Sequence, residues 1–263
     1  MLQVLHLDGA DRPVAVLVEG PALRLRRQGI ADVFAPLPRL ARVVVHGPRV
    51  QWRTEALMAC LEGGVPVLFL GARGALAGAL VPVHPPAARA DLAALLDAAA
   101  SAPGFRRRLE DFCRAEERNA ILALVRREGG GSCGIGADLR PAAVRRRCLE
   151  GCVAPAVAAP LADLMSGLAS AMVAEALARR GAGPRFLMRR TGGFGLAEAL
   201  GRVLAWHLWP SVRSLAATAE LDATGVLTPP SRRAAIRAFE TAELAPRRDR
   251  LLARLAAVLA ESL

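Results

Sequence analysis

The sequence contains no lysine and no tyrosine, and aromatic residues make up only 4% of its 263 positions. So few aromatic rings argue against single-strand recognition by base stacking, which relies on aromatic platforms. The missing lysine, alongside abundant alanine, is the signature of GC-rich coding and carries no function by itself. No Cys-x-x-Cys pair occurs among Cys60, Cys113, Cys133, Cys148 and Cys152. Cys148 and Cys152 lie one helical turn apart and could share a face. Buried reduced thiols are the simpler reading, with a two-cysteine metal or redox site as the alternative. The glycine-rich run from Gly129 to Gly136 lacks the Gly-Lys-Ser/Thr ending of a phosphate-cradling P-loop. His6, His46 and His84 show no metal-ligand spacing and read as structural or exposed. No basic segment precedes the short apolar run Leu2 to Leu7, so no secretory signal is expected. No uncharged apolar run reaches the ~18–20 residues of a membrane span. The longest candidate, Pro155 to Ala178, is interrupted by Asp163 and Glu175. A cytoplasmic protein with no membrane partner is expected.

What is present is arginine. The formal net charge is +11, and a surplus of this size favours a polyanionic partner, because each neutralised phosphate releases counterions. Clusters occur at Arg106-Arg107-Arg108, Arg145-Arg146-Arg147, Arg232-Arg233 and Arg247-Arg248 on predicted helices. As phosphate contacts they would fix position without reading sequence. With stacking disfavoured, readout of the DNA backbone or duplex shape is the expected mode. Trp206 and Trp209 read as core or interface anchors.

Patterning divides the chain. Alternation and glycine punctuation predict strands over Leu2 to Leu7, Val14 to Val18, Ala22 to Arg26, Arg42 to Val45, Val65 to Leu70 and Ala75 to Leu80. One helix, about Arg53 to Leu61, interrupts them; Thr54 could cap it, and Gly63-Gly64 ends it. The stiff His84-Pro85-Pro86 marks a boundary. Beyond it the period turns helical over Asp91 to Ala100, Phe105 to Glu128, Pro141 to Cys152, Pro160 to Arg180, Leu196 to Leu208, Pro230 to Thr241 and Arg247 to Leu263. The expected architecture is α+β. A small β-rich domain (1–84) is followed by a linker (85–103) and a larger all-helical domain (104–263). Open strand edges in the first domain call for a cover, often a second copy.

Four stretches carry a family resemblance by their order. Arg42 to Leu80 reads as strand–Gly–helix–strand with a Gly-x-x-x-Gly ending. EERNAILALVRR occupies Glu116 to Arg127, Leu149-Glu150-Gly151 follows, and TGVLTPPSRRAAIRAFE spans Thr224 to Glu240. Together they resemble the CRISPR-adaptation integrase family, the universal CRISPR-associated endonuclease that inserts new spacers in antiviral defence. The resemblance implies a homodimer through the N-terminal domain and bridging by a small second CRISPR-associated protein. It also implies a Glu, a His and an Asp or Glu holding a divalent metal that activates a DNA 3′-hydroxyl or a water.

Carried over by position, Glu150 matches the first ligand. The His position holds Met188, and the acidic pair falls on Ala199 and Arg202. Glu198 is turned ~100° away from Ala199 on the helix. A hard cation needs oxygen ligands, whereas methionine offers a thioether, alanine nothing and arginine a repelling charge. No catalytic residue, no bound metal and no cofactor are therefore expected. The expectation is a non-catalytic, DNA-binding structural subunit of spacer acquisition. DNA contacts are expected from Arg145, Arg146, Arg189, Arg190, Arg202, Arg232 and Arg233, with Arg189, Arg190 and Arg202 able to fill the vacated pocket. An active integrase paralogue is a further candidate partner. Two alternatives stay open. One is an active Mg2+- or Mn2+-dependent endonuclease or integrase with a site rearranged around Glu150 and Glu198 or His207. The other is a protein-interaction scaffold without a DNA role.

Overall fold

The computed structural model describes residues 2–9, 12–82, 91–127, 138–187 and 194–261. The first 80 residues build two four-stranded sheets. β1 (Gln3–Asp8), β5 (Leu40–His46), β7 (Val67–Leu70) and β8 (Leu76–Leu80) form one, in the order β1-β5-β7-β8. β1, β5 and β7 run parallel, and β8 turns back antiparallel. β2 (Val14–Glu19), β3 (Ala22–Arg27), β4 (Ile30–Pro36) and β6 (Val50–Trp52) form the other, in the order β4-β3-β2-β6. Helix α1 (Thr54–Glu62) links β6 to β7. Its N-cap is Arg53, with no side-chain cap, so Thr54 is the first helical residue and not the expected cap. Gly63 closes the helix as anticipated.

Strand β5 explains how the two halves join. All seven of its residues are buried, as befits an inner parallel strand covered on both faces. Period-two alternation sends Val43 and Val45 into the core between the sheets and Val44 into the helical core. Leu68 and Leu70 of β7 also join the helical core.

The helical half comprises α2 (Asp91–Ala100), α3 (Phe105–Arg127), α4 (Pro141–Glu150), α5 (Pro155–Arg179), α6 (Pro184–Leu187), α7 (Leu196–Ala205), α8 (Trp209–Ala216), α9 (Pro229–Thr241) and α10 (Ala245–Ala260). A 3-10 turn, Trp206–Leu208, separates α7 from α8. Within the expected linker, residues 91–100 form α2, whose Leu92, Leu96 and Ala99 are buried in the helical core. That stretch belongs to the helical half.

Helix α5 is long and apolar enough to cross a membrane by length and composition, but here most of it is buried inside the fold. It begins five residues before the expected start and contains Pro160 within its span. Two glycines let its neighbours approach. A Cβ on Gly201 of α7 would lie 2.6 Å from the Ser170 Cα of α5. A Cβ on Gly167 would lie 1.6 Å from the Gly74 carbonyl oxygen in the β7–β8 turn. Both contacts are with backbone, so a larger residue at either position must displace an element.

Polar groups clasp the halves together. Arg42 of β5 donates to Glu175 of α5 at 2.5 Å, with both side chains buried. Removing one partner of such a pair costs about 3–5 kcal/mol. Glu240 of α9 accepts from His6 Nε2 at 3.1 Å. A carboxylate cannot donate, so His6 Nδ1 is left to accept from His46 Nε2 at 3.0 Å. Burial, and then His6 beside it, pushes the His46 imidazole down to about 3. Both histidines are thus structural, one of the two roles the sequence allowed. Cys60, Cys113, Cys148 and Cys152 are buried thiols, with Cys152 Sγ donating to the Cys148 carbonyl at 3.2 Å.

Candidate nucleic-acid interface

Helix α7 has strong sidedness, which decides what Ala199, Glu198 and Arg202 can do. Ala199 is buried, with Leu196, Ala197, Leu200 and Val203, against the helical core. Glu198 and Arg202 lie half-exposed on the outer side, 3.7 Å apart across one turn. The rotation of Glu198 away from Ala199 expected from the sequence is what the helix adopts.

Arg202 reaches a cavity of about 160 Å³ enclosed by α3, α4, α5, α7 and α8. Glu117, Arg145, Met165, Ser166, Trp206 and Trp209 are among its walls. Trp206 Nε1 donates to Glu117 Oε1 at 3.1 Å, and the two indole centroids are 6.1 Å apart. Both tryptophans are buried, in keeping with their reading as anchors. Arg145 pairs with Asp163 of α5 at 2.6 Å. A second groove, about 330 Å³, continues past Glu117 and Arg202 to Arg106, Glu110, Arg114 and Glu198.

Glu150 is not among the residues lining either space. It ends α4, whose opposite end, Pro141 and Ala142, borders the cavity. Its carboxylate is two-thirds exposed and sits 3.8 Å from Arg146. Arg202 lines both spaces, whereas Ala199, like Glu150, lines neither. Among the described residues no group of three His, Cys, Asp or Glu side chains is placed to hold a metal. Of Glu150, Ala199 and Arg202, only Glu150 offers a side-chain oxygen ligand to a divalent cation. Met188, Arg189 and Arg190 lie outside the described residues.

The expected DNA contacts separate into distinct environments. Arg145 and Arg202 share the cavity. Arg146 and Arg233 are exposed. Arg232 requires correction. It is buried, donates to Asp8 of β1 at 2.9 Å and to the Leu227 carbonyl at 3.4 Å, and so ties α9 to the first sheet. A guanidinium held this way is not a surface phosphate contact.

One group of cations was missed as a site. Arg247, Arg250 and Arg254 follow one another at helical spacing on α10 and line a groove of about 240 Å³ with Glu116, Asn119 and His207. The Arg247-Arg248 doublet was visible in the sequence. Its convergence with Arg250 and His207 was not, because it depends on α10 packing beside α3. A further cavity of about 720 Å³ lies where β5 and β7 end against α5 and α9. Several of its charged walls are engaged: Arg232 with Asp8, Asp163 with Arg145, and Asp222 with Thr224 and Val226 of its own turn.

No protein-family model and no curated protein matches the sequence. Solved structures do match the fold. A CAS1 protein from Thermotoga maritima superposes with a TM-score of 0.74 at 10% identity, over 99% of this chain and 97% of that one. A casposase bound to integration product gives 0.64 at 14% identity, over 92% and 82%. A TtCas1–DNA complex gives 0.59 at 16% identity, over 99% and 91%. The architecture is thus an α+β fold of the CAS1 type, as the block order in the sequence suggested. At these identities the likeness is one of fold.

Proposed function

We propose that this protein is a DNA-holding, non-catalytic member of the CRISPR-adaptation integrase group, acting as a structural subunit in spacer acquisition. The observation that carries this reading is the state of helix α7. Of the two residues that the sequence resemblance puts at the acidic ligand positions, Ala199 is buried and Arg202 carries a guanidinium facing the cavity. A guanidinium fork binds phosphate oxygens well and repels a cation. Positioning DNA and cutting it use different residues, so a subunit can keep the first role without the second. The DNA-bound neighbours, a casposase on its product and a TtCas1–DNA complex, support a nucleic-acid partner.

The N-terminal domain is the proposed homodimer surface. Edge strand β4 exposes Ile30, Val33 and Phe34, and such an edge is ordinarily covered. A small bridging CRISPR-associated protein or an active integrase paralogue would complete the assembly. A likeness to a chain of a Cas6-RT-Cas1–Cas2 complex, TM-score 0.70 at 12% identity over 99% of this chain and 35% of that one, supports the same setting.

Two measurements test the proposal. Gel shifts with branched and duplex DNA are expected to show salt-sensitive complexes. Nuclease and strand-transfer assays with Mg2+ or Mn2+ are expected to yield no products. Metal-dependent products abolished by Glu150→Gln would overturn the non-catalytic assignment, and no shift with either DNA would overturn DNA holding.

A further inference from the structure

The groove between α3 and α10 differs in kind from the rest of the arginine-rich surface. Its α10 wall presents Arg247, Arg250 and Arg254, its α3 wall Glu116 and Asn119, and its third side the 3-10 turn with His207. Glu116 is engaged by Arg254. Among the described residues no carboxylate lies within ion-pair distance of Arg247 or Arg250. The groove therefore holds two uncompensated guanidinium groups beside a half-buried imidazole and a side-chain amide.

The imidazole reports the resulting field. Burial, and then the charges of Arg247, Arg127 and Arg250, push His207 down to about 4. At neutral pH it is an uncharged ring with one N–H to donate. Two guanidinium forks, one imidazole N–H and one amide N–H are complementary to a tetrahedral oxyanion.

We propose that this groove is a phosphate-binding site, with Arg247 and Arg250 as the charged clamp and His207 and Asn119 as neutral donors. The phosphate is either a free anion or a phosphodiester of a DNA strand. In the second case the site gives the proposed DNA-holding function a contact on α10 and α3, away from the Arg145–Arg202 cavity. The anion-binding proposal does not depend on that function.

The test uses the full chain with isotope-labelled histidine and follows the His207 ring through a pH titration by NMR. The probes are inorganic phosphate and, separately, a short DNA duplex. An anion seated beside the ring offsets the guanidinium charges, so a bound probe raises the His207 midpoint, by about one unit for direct contact. A rise with phosphate assigns the site to free anions; a rise with duplex alone assigns it to the polynucleotide. The exposed double variant Arg247→Ala/Arg250→Ala is expected to raise the unliganded midpoint and abolish the ligand-induced rise. The control Arg106→Ala/Arg114→Ala is expected to keep both. No rise with either probe, or an equal rise in the Arg247/Arg250 variant, overturns the proposal. A rise with phosphate together with failed gel shifts would leave the anion site standing and remove the DNA reading.

Discussion

Two arginine-lined grooves run along α3, and they differ in what stands opposite the arginines. On the α7 side, Arg106 pairs with Glu110 at 2.8 Å, Arg114 with Asp111 at 2.8 Å and Arg202 with Glu198 at 3.7 Å. On the α10 side, among the described residues, Arg254 alone has an acidic partner in its groove, and Arg247 and Arg250 line that groove with His207. The formal charge of +11 is therefore not spread evenly. Helix-neighbour pairs are worth only a few tenths of a kcal/mol each, too little to matter for stability. They do cancel local charge, so arginine count and positive potential diverge. A polyanion senses the potential.

The largest effect that would sharpen this contrast is on stability against pH. His46 and His207 both have folded midpoints below the ordinary value, at about 3 and about 4. The unfolded chain then binds more protons as pH falls below ~6.5, so stability is intact above that value and declines towards pH 4. The slope reaches about 1.4 kcal/mol per pH unit for buried His46 and is smaller for half-exposed His207. Thermal melts from pH 7 to pH 4.5 should show falling midpoints. Arg247→Ala/Arg250→Ala should flatten the His207 share, and Arg106→Ala/Arg114→Ala should not.

Next in size is DNA affinity. Loss of Arg247 and Arg250 should weaken duplex binding about tenfold or more near 0.1 M salt and reduce the log–log salt slope by about 2, as read by fluorescence anisotropy. Equal losses from both grooves would erase the distinction drawn here. A smaller effect of opposite sign is expected from Glu110→Gln/Glu198→Gln, which releases Arg106 and Arg202. Affinity should rise by about two- to threefold. The smallest change, within about twofold, is expected for Arg106→Ala/Arg114→Ala, since those charges are already compensated.

The sequence made much of this architecture legible, and its failures have identifiable causes. The six anticipated strands and the anticipated helices are present, with shifted ends. Strand β4 was missed because Ile30, Val33 and Phe34 face outward on an edge, which spoils the inside–outside alternation used to find strands. Strand β6 has only three residues, too few for any period. Helix α8 was missed because it is short and follows a 3-10 turn directly, although Pro210 in its first turn is a helix-start signal. In the candidate site, the divergence of Glu198 from Ala199 followed from helical geometry alone. The absence of Glu150 from the walls of the Arg202 cavity did not, since it depends on how α4 packs against α3 and α5. Arg232 looked like a surface cation beside Arg233, but Asp8, 224 positions earlier in the chain, holds it inward.

By itself the sequence determined the order of β-rich and helical halves, the arginine surplus and the helical pattern that turns Glu198 away from Ala199. Composition and local periodicity are properties of neighbouring residues and survive without a fold. Tertiary structure alone decided which arginines meet a carboxylate, which are buried between the halves, and which converge on His207. Electrostatic potential depends on distances between residues far apart in the chain, and those distances exist only once α10, α3 and α7 have packed together.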